Sequence, residues 1–93
     1  MPSPVVRLNR AVAVAHASDA ATALRLVEEL DAEDALRDFR PLEAVRGELL
    51  ERMGRRDAAA AAFDRAGALP GNDAETELLR RRAAALRSDQ ASP

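Results

Sequence analysis

Apolar residues along this chain recur every three or four positions and nowhere alternate with polar ones over a strand-length run, a pattern that predicts helices throughout. It is plainest in PLEAVRGELLERMGRRDAAAAAFDRAGALP, residues 41–70. Leu42, Val45, Leu49 and Met53 keep helical spacing, and Gly54 breaks the pattern where a left-handed residue is easiest. Residues 58–68 then resume it, with Phe63 as the single large anchor. Two helices joined by so short a turn must pack face to face and antiparallel. Small residues at Gly47, Ala59 and Ala66 are expected to let the two backbones approach, with Leu50 and Phe63 filling the space beside them.

The flanks extend the pattern to five helices, expected at 4–17, 19–30, 39–53, 56–68 and 73–87. Ser3 suits an N-cap and Pro4 the first helical position. On the first helix Val5, Leu8, Ala11, Val12, Val14 and Ala15 form a broad apolar face interrupted by Arg7, while Val6 and Ala13 fall on another side. That is more apolar surface than one hairpin partner can cover. Ser18 and Asp19 supply a turn and the next cap, and Ala23, Leu24, Val27 and Leu30 face inward from the second helix. Residues 31–38 are a polar link with Ala35 and Leu36 on a short turn, and Asp38 is expected to cap the third helix, leaving Pro41 in its first turn. Pro70 and Gly71 stop the fourth helix. Asn72 followed by Glu75 resembles a capping box, and the fifth helix runs through Leu78, Leu79, Ala83 and Leu86 with Glu77 and Arg81 paired at i, i+4. The tail, 88–93, is expected to fray.

An internal repeat underlies these helices. A shift of 36 residues sets Ala11 under Gly47, Val14 under Leu50, Ser18 under Gly54, Ala23 under Ala59, Val27 under Phe63 and Leu30 under Ala66. Small positions match small ones, and large mostly match large. Measured from Gly47, the ladder of Leu50, Gly54, Ala59, Phe63, Ala66 and Pro70 resembles a tetratricopeptide repeat. The resemblance implies an all-α fold, one domain over 1–93, in which two antiparallel hairpins stack in a right-handed array and the fifth helix caps the end.

Composition narrows the function classes. At 93 residues the chain has room for one modest core, and its 47% hydrophobic content is largely alanine, with Phe39 and Phe63 the only aromatics. Net charge is −2 with the signs interspersed, unlike a concentrated nucleic-acid footprint; Arg80, Arg81 and Arg82 are the nearest approach to one and read as a solvated terminal helix together with Arg87. All 14 basic residues are arginine, a bias we attribute to a GC-rich genome. The absence of Cys excludes disulfides and thiolate chemistry and fits a reducing compartment. Neither a leader nor an apolar run of membrane-spanning length occurs, so a soluble cytoplasmic protein is expected. His16 stands alone as a would-be metal ligand, and Asp31, Glu33, Asp34 and Asp38 lack the glycine and oxygen spacing of a calcium loop. No nucleophile–base pairing and no phosphate-cradling glycine loop stands out. We therefore expect no enzyme activity, no metal and no cofactor.

Three segments carry a further resemblance: LNRAVAVA at 8–15, EAVRGELLERMGR at 43–55 and AAFDRAGALPGNDAETELLRRR at 61–82. Together they resemble the C-terminal extension of a group of extracytoplasmic-function (ECF) RNA polymerase sigma factors, a helical region of tetratricopeptide character that follows two sigma regions binding core polymerase and promoter DNA. The resemblance implies a regulatory protein-interaction module in bacterial transcription initiation, with sigma regions or core RNA polymerase as partner and no direct contact with nucleic acid or membrane. Two departures accompany it. An Asp-Gly-Pro turn usual after the first helix is replaced by Ser18, Asp19 and Ala20, and the sigma regions are missing, so a dissected fragment, a truncated frame or a free-standing relative is expected. The candidate partner face is Val5, Leu8, Val12 and Ala15. The alternative is a free-standing scaffold with no transcriptional role that self-associates through the same face as a homodimer.

Overall fold

A computed structural model describes residues 4–17, 19–31 and 39–91. Every regular element among them is helical: α1 (Pro4–Ala17), α2 (Ala20–Asp31), α3 (Arg40–Arg52), α4 (Arg56–Ala68) and α5 (Asp73–Ala91).

Local chemistry explains most of the boundaries. Asp19 caps α2, its Oδ1 accepting from the Thr22 amide at 2.8 Å and its Oδ2 from the Thr22 hydroxyl at 3.1 Å. At the end of α3, Gly54 takes φ +77°. Its amide donates to the Glu51 carbonyl and that of Arg55 to the Leu50 carbonyl, each at 3.0 Å, which is the Schellman closure of a helix end. Asn72 Oδ1 accepts from the Glu75 amide at 2.8 Å and starts α5.

Some boundaries differ from expectation. The N-cap position of α3 is Phe39, extended at φ −92°, ψ 103° and with no side-chain cap; the expected cap, Asp38, lies outside the described residues. The fourth helix, by contrast, ends at the expected residue, Ala68, with Leu69 pushed to ψ 157° because Pro70 disfavours helical backbone in the residue before it. Met53 is not a core residue: it is the C-cap of α3 and exposed. Helix α5 continues to Ala91 instead of fraying from Ser88, since nothing between Arg87 and Ala91 breaks a helix.

Side-chain pairs reveal the helix directions. Arg40 with the Gly67 and Leu69 carbonyls, Glu43 with Arg65, and Gly47 with Phe63 all straddle the Gly54 turn about evenly, so α3 and α4 run antiparallel. Asp64 with Arg87 and Gly67 with Leu79 reverse direction again between α4 and α5. Helices α3 and α5 are therefore parallel, as Arg40 with Thr76 and Glu48 with Arg82 show directly. Val12 and Ala15 of α1 share a small cavity with Val45 and Leu49 of α3. Helix α2 packs on both α1 and α3.

One apolar cluster runs through all five helices, anchored by the fully buried Leu30, Leu42, Val27 and Phe63 and closed by alanines such as Ala23, Ala59 and Ala66. Gly47 sits beneath the Phe63 ring, where a Cβ would come within 2.7 Å of the ring edge. The room it leaves is taken by the Phe63 side chain.

Candidate interaction surfaces

Helix α3, parallel to α5, leaves one face exposed. Pro41, Ala44, Glu48, Glu51 and Arg52 lie along it at i, i+3, i+4 spacing. Toward α5 the face opens into a cleft of about 280 Å³, floored by Pro41, Ala44, Leu78 and Leu79. Leu78 is 59% exposed, whereas Leu79, Ala83 and Leu86 on the same helix are buried.

Two arginines bracket this cleft. Arg40, buried at the start of α3, donates to the Gly67 and Leu69 carbonyls at the end of α4, to Thr76 Oγ1 at 2.7 Å, and to Glu75 Oε2 at 3.4 Å. Helix C-termini leave carbonyls unsatisfied, and here one guanidinium fork answers two of them while also holding α5. Gly71 leaves room in that corner for the Arg40 guanidinium, which a Cβ there would have to displace. At the other end of the cleft Arg82 lies over the Phe63 ring, 4.3 Å from its centroid, and reaches Glu48 at 3.1 Å and Glu51 at 2.9 Å. Neither role was legible in the chain. Arg40 carried no sequence signal beyond its place next to Pro41, and Arg82 lay hidden in a run that reads as solvated.

The expected partner face is divided by the structure. Leu8 is buried in the core, and Val12 and Ala15 are half-buried against neighbouring helices. Val5 is about half exposed, 49%, and so is Val6 at 53%, a residue expected on another side. A continuous four-residue face is therefore not available; what remains outside is the first turn and a half of α1. Of the hairpin residues, Gly47, Leu50, Ala59, Phe63 and Ala66 are buried and Gly54 is the exposed turn. In the turn that replaces the family motif, Ser18 lies outside the described residues, Asp19 is the α2 cap and Ala20 opens α2.

Two further charged side chains tie helices together. Glu43, buried on α3, pairs with Arg65 at 3.2 Å, and Arg52 donates to the Ala15 carbonyl near the end of α1 at 3.5 Å. Among the described residues no three His, Asp or Glu side chains gather in a way that could hold a metal ion, and no helix is long and apolar enough to cross a membrane.

No known family profile matches the chain, and no solved structure matches it. An uncharacterized protein of Rhizobium meliloti (strain 1021) is 44% identical over 79 residues, a match covering 85% of this chain and 18% of that protein. The chain thus spans less than a fifth of the length of the relative it resembles.

Proposed function

We propose that this chain is a non-enzymatic helical protein-interaction module, tetratricopeptide-like in its stacking, of the kind that forms the regulatory C-terminal extension of an ECF sigma factor. It works in the bacterial cytoplasm at transcription initiation, holding sigma regions or core RNA polymerase. The observation that carries the reading is the helix arrangement: α3 and α4 form an antiparallel hairpin, α5 returns parallel to α3, and Gly47 receives the Phe63 ring. The earlier half follows suit in burial, since Ala11, Ala23, Val27 and Leu30 are buried as Gly47, Ala59, Phe63 and Ala66 are. A match to a short segment of a much longer relative supports a module.

Protein is favoured over nucleic acid because arginines of α5 are already engaged. Arg81 pairs with Glu77, Arg82 with Glu48 and Glu51, and Arg87 with Asp64 at 2.6 Å. Little positive charge is left to meet phosphates.

The test is retention of a matching sigma-region fragment and core polymerase on the immobilised chain, wild type against Val5→Asp with Val6→Asp. Both residues are exposed, so the pair should leave the helical circular dichroism unchanged while retention drops to background. Wild-type chain that holds neither protein sinks the sigma-factor reading.

A further inference from the structure

The Arg82 side chain stands between two openings on the exposed face of α3. One is the α3–α5 cleft of about 280 Å³; the other is a depression of about 500 Å³ bordered by Glu48, Glu51 and Arg52. Arg82 and Glu48 line both, so their ion pair is the partition between them. Beneath the guanidinium lies the Phe63 ring, fully buried with Arg82 in place.

Three groups hold that guanidinium, and together they suit its shape. One terminal nitrogen meets Glu48 at 3.1 Å, the other meets Glu51 at 2.9 Å, and the central carbon lies 4.3 Å from the ring centroid. Two carboxylates a helical turn apart, each taking one nitrogen above an aromatic face, use a planar fork that an ammonium lacks. The hold is nevertheless weak. Side-chain exposure is 36% for Arg82, 52% for Glu48 and 42% for Glu51, so solvent screens both pairs and a released Arg82 loses little by returning to water. Arg40, at the other end of the cleft, is buried and tied to two backbone carbonyls of α4.

We infer that Glu48, Glu51 and Phe63 form a guanidinium-binding site that the chain fills with its own Arg82, and that a partner's arginine takes the site by displacing it. On the reading of this chain as an interaction module, the partner thereby acquires a chemistry: an arginine next to an apolar residue. Exchange of one guanidinium for another is nearly neutral in charge and hydrogen bonds. The gain comes from the neighbouring residue, because withdrawal of Arg82 joins the two openings and gives an apolar side chain Pro41, Ala44 and the exposed Leu78 to cover. Arg52, the other cation bordering the depression, is directed to the Ala15 carbonyl at 3.5 Å. Arg82 is then a built-in competitor, lowering the apparent affinity by the fraction of time it occupies the site.

Nuclear magnetic resonance titration of the full chain with methylguanidinium, and with methylammonium as the control of equal charge, tests the site. In Arg82→Ala, methylguanidinium at low millimolar concentration should shift the Phe63 ring signals and bind about fivefold tighter than methylammonium, the equivalent of one exposed ion pair. Wild type should bind methylguanidinium about fivefold more weakly than Arg82→Ala does. Adding Glu48→Gln with Glu51→Gln to Arg82→Ala should abolish the preference. Equal affinity of Arg82→Ala for the two cations, or equal affinity of wild type and Arg82→Ala for methylguanidinium, overturns the site. Circular dichroism checks that the variants fold, and wild type decides alone if they do not: its Arg82 Nε–H signal, displaced by the ring, should move toward that of free arginine as methylguanidinium is added. A signal that stays put overturns the displacement. Chain that retains the sigma regions yet shows no guanidinium preference refutes this inference alone, whereas the preference without retention refutes only the sigma-factor reading.

Discussion

Gly47 shows how much of this core depends on one missing methyl. The Phe63 ring is fully buried and has no free direction in which to retreat, and a Cβ at position 47 would meet three of its carbons within 3 Å. Alanine gains about 1 kcal/mol of helix propensity over glycine, but overpacking costs about 1–3 kcal/mol. Gly47→Ala should therefore destabilise the fold by about 1 kcal/mol or somewhat more, read as a lower urea midpoint at unchanged slope. An unchanged or raised midpoint would mean that the ring shifts freely. The burial of Gly47 and Phe63 was legible from spacing alone. Their contact was not, because periodicity reports which face a residue occupies and says nothing of what stands opposite.

Between elements, Arg40 is the joint. It ties the start of α3 to the end of α4 and the start of α5, whereas the apolar hold on α5 comes through Leu79, Ala83 and Leu86. Arg40→Ala would leave the Gly67 and Leu69 carbonyls short of a donor in a largely buried corner, a loss of about 2–4 kcal/mol. The damage should be local first. In hydrogen–deuterium exchange, amides in the first two turns of α5 should open faster than those near Leu86; uniform acceleration along the helix would contradict the joint. Arg82 contributes less, since its ion pairs are half-exposed and of the kind worth about 0–1 kcal/mol. Helix starts and stops were readable wherever short-range chemistry sets them, as at Asp19, Gly54 and Asn72. The start of α3 was readable to within one residue, but not what holds it: Phe39 offers no capping side chain, and the Arg40 contacts fix that end instead.

Across the whole molecule, the single apolar cluster has a thermodynamic consequence. Leu8 and Ala11 of α1 belong to the same core as Leu79 and Leu86 of α5, and no helix has an apolar face large enough to stand without its neighbours. Unfolding should be one transition. Helix loss by circular dichroism and the heat absorbed in calorimetry should share a midpoint, with van't Hoff and calorimetric enthalpies equal. Two resolved steps would show that the α1–α2 pair and the α3–α5 segment are separate folding units. The 36-residue repeat suggests such a division, but the continuous core argues for joint melting.

The sequence by itself determined that the described residues are helical, where their five helices lie and which residues of the central hairpin are buried, since those follow from propensity, caps and a 3.6-residue period acting over a few neighbours. Only the tertiary structure decided that Leu8 is covered while Val5, Val6 and Leu78 are left outside, and that Arg40 and Arg82 bridge helices instead of facing water. Coverage and bridging depend on which residues distant in the chain come to lie opposite one another, and the order of apolar and polar positions within one helix carries no record of that.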